Sequence, residues 1–117
     1  MERDYLYPVV DVHTVIDGDT VEMTIDLGCN VLMRDRFRVL GIDAPEKRGA
    51  EKEAGIAATE FAERWFDDRI DAQEIWVRTH KDKKGGFGRW LAEIVDEFGS
   101  SFGNAMLESG HAVEYDR

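Results

Sequence analysis

Four carboxylates and two arginines stand where they could act together. Asp17-Gly18-Asp19-Thr20 sets two acids around a glycine, and Asp43-Ala44-Pro45-Glu46 sets two more around a proline that fixes the chain between them. Carboxylate oxygens suit a hard cation, Ca²⁺ or Mg²⁺, and the glycine would let the backbone pass close to such an ion. Taken alone, each pair also reads as an ordinary turn. An EF-hand is excluded: counting from Asp17, Val21 stands where an oxygen ligand belongs, Glu22 where glycine belongs and Gly28 where the glutamate belongs. If the two pairs meet in space, their charges repel, and a cation would relieve the repulsion. Arg38 follows Arg36 by two residues, and Arg89 ends the run Gly85-Gly86-Phe87-Gly88-Arg89. Guanidinium groups match phosphate oxygens bidentately and keep their charge. A cation, two such donors and an activated water are the inventory that phosphodiester cleavage requires.

Strands must hold most of these groups. Val10, Val12, Thr14 and Ile16 alternate with other residues up to Asp17-Gly18, and Val21, Met23, Ile25 and Leu27 alternate with Thr20, Glu22, Thr24 and Asp26 beyond it. Period two on both sides of a turn signal predicts a hairpin. Gly28 to Asn30 is a second turn. A third strand is expected over about Met33–Ile42, with Phe37 and Val39 on one face and Arg36 and Arg38 on the other. Residues 51–70 switch to helical spacing, with Ala54, Ala57, Ala58, Phe61, Ala62, Trp65 and Phe66 inside and Glu53, Glu60, Glu63 and Asp67 outside. Two further strands, Glu74–His80 and Trp90–Val95, flank a Lys- and Gly-rich loop, and a short helix over about Ser101–Ser109 ends at Gly110. Five short strands with a helix after the third suit a small closed barrel, an α+β fold with one long and one short helix.

The whole chain of 117 residues is expected to form one domain, large enough to bury a core without staples. Its 25 acidic and 15 basic residues leave a net charge of −10, which argues against nonspecific binding to nucleic acid. The distribution is uneven. Residues 51–74 and 90–117 each carry −5, whereas residues 78–89 carry +4 and residues 34–38 carry +2. Cys29 is the only cysteine, so an internal disulfide and a cysteine-based zinc site are excluded. No apolar run spans a bilayer and no signal peptide is visible, so no membrane role is expected; the location expected is cytoplasmic, or secreted if a signal was removed.

Three blocks together resemble a known family. Val15-Ile16-Asp17-Gly18-Asp19-Thr20-Val21, Phe37-Arg38-Val39-Leu40-Gly41-Ile42-Asp43-Ala44-Pro45-Glu46 and Phe87-Gly88-Arg89-Trp90-Leu91-Ala92 are similar, in order and spacing, to the signature blocks of staphylococcal-nuclease-like (thermonuclease) proteins. The resemblance runs from about Val9 to Val113. It implies a five-stranded OB-fold barrel and a Ca²⁺-dependent nuclease acting on DNA and RNA, single strands included, as a monomer. It implies that Asp19 and Asp43 bind calcium directly, that Ala44 binds through its carbonyl and that Asp17 lies near the ion. Glu46 matches the carboxylate that orients or activates water. Arg38 and Arg89 match the arginines that stabilise the transition state, leaving 3′-phosphate and 5′-hydroxyl ends. Phe87 stands where a tyrosine often lies near the nucleotide, and Gly86 where a lysine often contacts phosphate, with Lys83 and Lys84 close by as substitutes. Tyr115 offers an aromatic ring to a base. The chain ends at Arg117, before the last helix of the best-known members.

The rival expectation is a noncatalytic OB-fold module that binds single-stranded nucleic acid or a protein partner. A structural calcium-binding domain is a third, but it has no need of Arg38 and Arg89. His13, His80 and His111 are scattered, with His13 and His80 expected on strand surfaces. Trp65, Trp76 and Trp90 read as core residues, and Cys29 as an idle thiol in a turn.

Overall fold

The computed structural model describes residues 5–72, 74–81 and 90–115. Strands β1 (Leu6–Asp17), β2 (Thr20–Gly28) and β3 (Val31–Val39) form an antiparallel meander. After β4 (Ile42–Asp43) and one 3₁₀ turn (Gly49–Glu51) comes helix α1 (Lys52–Ile70). Strands β5 (Ile75–Lys81) and β6 (Trp90–Asp96), helix α2 (Phe102–Glu108) and β7 (Val113–Glu114) complete the order. The barrel closes in the order β1-β2-β3-β6-β5, with β5 returning to β1 through Leu6↔Arg78 and with β3 and β6 parallel. This is the OB-type α+β barrel expected, with one long and one short helix. No helix among the described residues is long and apolar enough to cross a membrane.

The alternation over β2 and β3 holds. Val21, Met23, Ile25, Phe37 and Val39 are buried, while Arg34 and Arg36 face out. Two expectations fail in phase. In β1 the buried residues are Val9 and Val15, and Val10 is 43% exposed. Register shifts between Val9/Asp11, Val12/Thr14 and Val15/Asp17 insert extra residues, and each one rotates the following side chains. The third strand stops at Val39 because Gly41 takes a left-handed φ of 85°, turning the chain before the separate strand β4. Ile42 and Asp43 then pair with Glu114 and Val113 in a two-stranded ribbon that no alternation announces in so short a segment.

Helix α1 packs on β1 and buries Ala58, Ala62, Trp65 and Phe66, whereas Ala54 and Ala57, expected inside, are exposed: in the first turns the buried stripe runs through Gly55, Ala58 and Thr59 instead. Phe66 and Phe102 of α2 meet with ring centroids 4.9 Å apart, and Trp65 stands edge-on to both at 5.2 Å. Of the other tryptophans, Trp90 is half-buried and packs on the core, whereas Trp76 alternates with buried Ile75 and Val77 and faces outward. Its expected core position is therefore corrected. The side chain of Ser101 caps α2 by accepting from the Asn104 N–H at 3.2 Å. Asp96 turns the chain from β6 towards α2: its carboxylate accepts the Phe98 and Ser100 N–H groups, both at 2.9 Å, and pairs with Arg69 of α1 at 3.3 Å.

One contact decides how α1 meets the segment after β4. The irregular stretch at Glu46 and Lys47 crosses the helix at Gly55, so closely that a Cβ there would overlap the Glu46 carbonyl and lie 2.7 Å from the Lys47 nitrogen. A glycine inside a helix ordinarily costs about 1 kcal/mol relative to alanine. Gly55→Ala should nevertheless destabilise the protein, by about 1–3 kcal/mol, because backbone atoms must move to admit the methyl group. Urea unfolding of the two forms checks the sign; a higher midpoint in the alanine variant would show that the crossing is not tight.

Candidate active site

Asp17, Gly18 and Asp19 form the corner between β1 and β2, with Asp17 and Thr20 closing the ladder. Gly18 is buried, and its Cα faces the core. A Cβ there would meet the Met106 methyl at 2.7 Å, the Ala44 Cβ at 3.0 Å and the Ala58 Cβ at 3.2 Å. The glycine between the two acids thus answers to packing by α1, α2 and Ala44. Neither clearance for an ion nor a turn conformation is needed to account for a glycine here.

Three polar bonds bring the separated blocks to this corner. The Val39 N–H, at the end of β3, donates to the Asp19 carbonyl at 2.9 Å. The Ala44 N–H donates to Asp19 Oδ2 at 3.0 Å, and the Lys47 N–H reaches Asp17 Oδ1 at 3.4 Å. Asp19 is 3% exposed, so its carboxylate is removed from water, and its Oδ1 also accepts the Thr20 hydroxyl at 3.1 Å. A buried carboxylate is tolerable only with such donors or a cation around it. Asp43 is half-buried and adjoins the Ala44 amide that binds Asp19. Glu46 is exposed on the segment that crosses Gly55. Asp17, Asp19, Asp43, Ala44 and Glu46 therefore share one end of the barrel.

Arg38 joins them from β3. It lies directly opposite Thr20 in the β2–β3 ladder, and its side chain is on the outer face, away from Phe37 and Val39. Its Nε is buried and has no hydrogen-bond acceptor among the described residues. Asp17, Thr20, Arg36 and Arg38 line a cavity of about 260 Å³ at this point. A second cavity, of about 280 Å³, lies on the other side of the Asp43–Pro45 segment, against Glu51, Ala54 and His111. Tyr115 is 50% exposed, and its N–H donates to the Gly41 carbonyl at 2.9 Å, which holds it beside the β4–β7 ribbon. Lys83, Lys84, Phe87 and Arg89 lie outside the described residues.

The donors at the corner are oxygens. Among the described residues no three His, Cys, Asp or Glu side chains form a metal-binding group. What the corner offers is the Asp19 carboxylate, bound to the Ala44 amide, with Asp43 next to Ala44 in the chain, while Asp17 accepts the Lys47 amide. Such a set fits a hard cation that keeps several water ligands, and it does not fit zinc. The signal for Gly55 in the sequence is a glycine inside an otherwise helical pattern, in phase with the buried positions Ala58, Thr59 and Ala62.

Comparison with known proteins bears on the family of the chain. Residues 36–117 match the family described as staphylococcal nuclease homologue. The chain is also similar to endonuclease YhcR of Bacillus subtilis (strain 168), 27% identical over 112 residues. That match takes in 89% of this chain, and the chain spans 9% of the length of that relative. With its closed five-stranded barrel and a match over most of its length, the chain belongs to the staphylococcal nuclease family.

Proposed function

We propose that this domain is a Ca²⁺-dependent phosphodiesterase that hydrolyses DNA, RNA or both to products with 3′-phosphate and 5′-hydroxyl ends. The observation that carries the reading is Arg38: a buried guanidinium nitrogen without an acceptor among the described residues, beside a cavity, opposite the corner where Asp19 is held. A buried charged donor left unpaired costs several kcal/mol of lost solvation, roughly 1–3 or more, and a phosphate oxygen supplies the missing acceptor. The family membership and the endonuclease relative support the same chemistry.

Asp19, Asp43 and the Ala44 carbonyl would hold the cation, with Asp17 adding negative charge nearby. Bound there, Ca²⁺ would supply positive charge to a phosphate oxygen during the displacement. Glu46 accepts a proton from water as the water oxygen attacks phosphorus. The bond from phosphorus to the 5′-oxygen breaks, that oxygen gains a proton and departs as a hydroxyl, and the phosphate stays on the 3′ side. Arg38, and Arg89 as its counterpart, stabilise the charge that gathers on the phosphoryl oxygens. Lys83, Lys84, Phe87 and Tyr115 would contact the remaining nucleotide.

Denatured DNA and RNA should be hydrolysed with Ca²⁺ present and left intact with chelator. Arg38→Ala and Glu46→Ala should each lower kcat by about 10²–10³-fold. Binding without cleavage by the unaltered protein would instead establish the noncatalytic module. Calcium itself should raise the unfolding temperature. At an ion concentration of about a hundred times Kd the gain is about 2.7 kcal/mol. Differential scanning calorimetry of the parent and of Asp43→Asn checks this; equal shifts in both would remove Asp43 from the calcium site.

A further inference from the structure

The outer face of β3 carries Arg34, Arg36 and Arg38 at every second position, so their side chains share one face. They are not equivalent. Glu22 stands directly opposite Arg36 in the ladder, yet its carboxylate pairs diagonally with Arg34, Nε to Oε2 at 2.8 Å. That bond holds the Glu22 carboxyl below the ordinary value, with further lowering by the charges of Arg34, His13 and Arg36, so Glu22 stays ionised and committed to Arg34. Arg34 is thereby neutralised. The Arg36 guanidinium makes no hydrogen bond or ion pair among the described residues, although its own N–H is held by Asp35 at 2.8 Å. It lines the same 260 Å³ cavity as Arg38.

We propose that, within the nuclease reading above, Arg36 grips the phosphate next to the scissile one, so that β3 presents a track for two consecutive phosphates leading away from the catalytic corner. Residues two apart on a strand are about 6.8 Å apart, a separation on the scale of one phosphate step along a nucleic-acid strand. The track is two guanidiniums long because Glu22 cancels the third. It also answers the charge of the molecule. With a net charge of −10, substrate must be held by local donors, and an exposed arginine without an internal partner is free to supply its charge to phosphate. Arg36 is a binding residue in this scheme; it stands one phosphate away from the bond that breaks.

The test separates this role from catalysis. Binding of a fluorescent short oligothymidylate is followed by anisotropy across a salt series with chelator present, where no hydrolysis is required. Each lost phosphate contact on a single strand lowers the slope of log K against log salt by about 0.7. Arg36→Ala should lose that amount, Arg36→Lys should retain it, and the double variant Glu22→Gln/Arg34→Gln, which removes that pair together and leaves Arg36 unopposed, should match the parent. In the hydrolysis assay with Ca²⁺, Arg36→Ala should raise KM and leave kcat nearly constant, as the loss of a ground-state contact does. An unchanged slope in Arg36→Ala, an equal loss in Glu22→Gln/Arg34→Gln, or no binding by the parent at low salt would overturn the proposal. Absence of hydrolysis with the slope difference intact would count against the nuclease reading and leave the phosphate contact of Arg36 standing.

Discussion

Asp19 ties together three stretches of chain that are far apart in sequence. Its carbonyl receives the Val39 amide from the end of β3, and its carboxylate receives the Ala44 amide from the segment after β4. Both bonds lie at a residue that is almost wholly withdrawn from solvent. In such surroundings each bond is electrostatically stronger than in water, and each would be costly to leave unmade. The β1–β2 corner, the Arg38 end of β3 and the Asp43–Glu46 segment are thus fixed relative to one another by one side chain and its own backbone. Rigid support of this kind is what a site needs if charge is to develop at a single point.

Two glycines make that arrangement sterically possible. Gly18 sits where Met106, Ala44 and Ala58 converge, and Gly55 sits where the chain at Glu46 and Lys47 passes over α1. Neither is needed for its backbone angles; both are needed because there is no room for a β-carbon. The corner and the carboxylate segment therefore rest directly on α1, which itself packs on α2 where Trp65 and Phe66 meet Phe102. Packing beneath the site and hydrogen bonding within it are two aspects of the same close approach.

The charge pattern gains meaning only on the folded surface. Acids dominate the chain, and α1 carries many of them on its exposed side. On β3 the three arginines could have been cancelled evenly. The ladder instead lets Glu22 choose Arg34, the arginine farthest from the corner, and leaves positive charge next to Asp17 and Thr20. A protein with a repulsive overall field can still attract an anion at short range, since screening at physiological salt confines the distant charges to a range of about 8 Å.

The sequence by itself determined the barrel and named most of the chemistry. Period two over Val21–Leu27 and around Phe37 and Val39, helical spacing over residues 51–70, and the order of three charged blocks were all readable, because burial of alternate or every third to fourth residue leaves a direct imprint on residue type. Tertiary structure decided the rest. The slips in β1 that bury Val9 and expose Val10, the outward turn of Trp76, and the ribbon of Ile42 with Glu114 depend on partners supplied by other strands. So do the burial of Asp19, the choice Glu22 makes between two arginines and the space denied at Gly55. These are distances between atoms remote along the chain, and residue type alone carries no record of them.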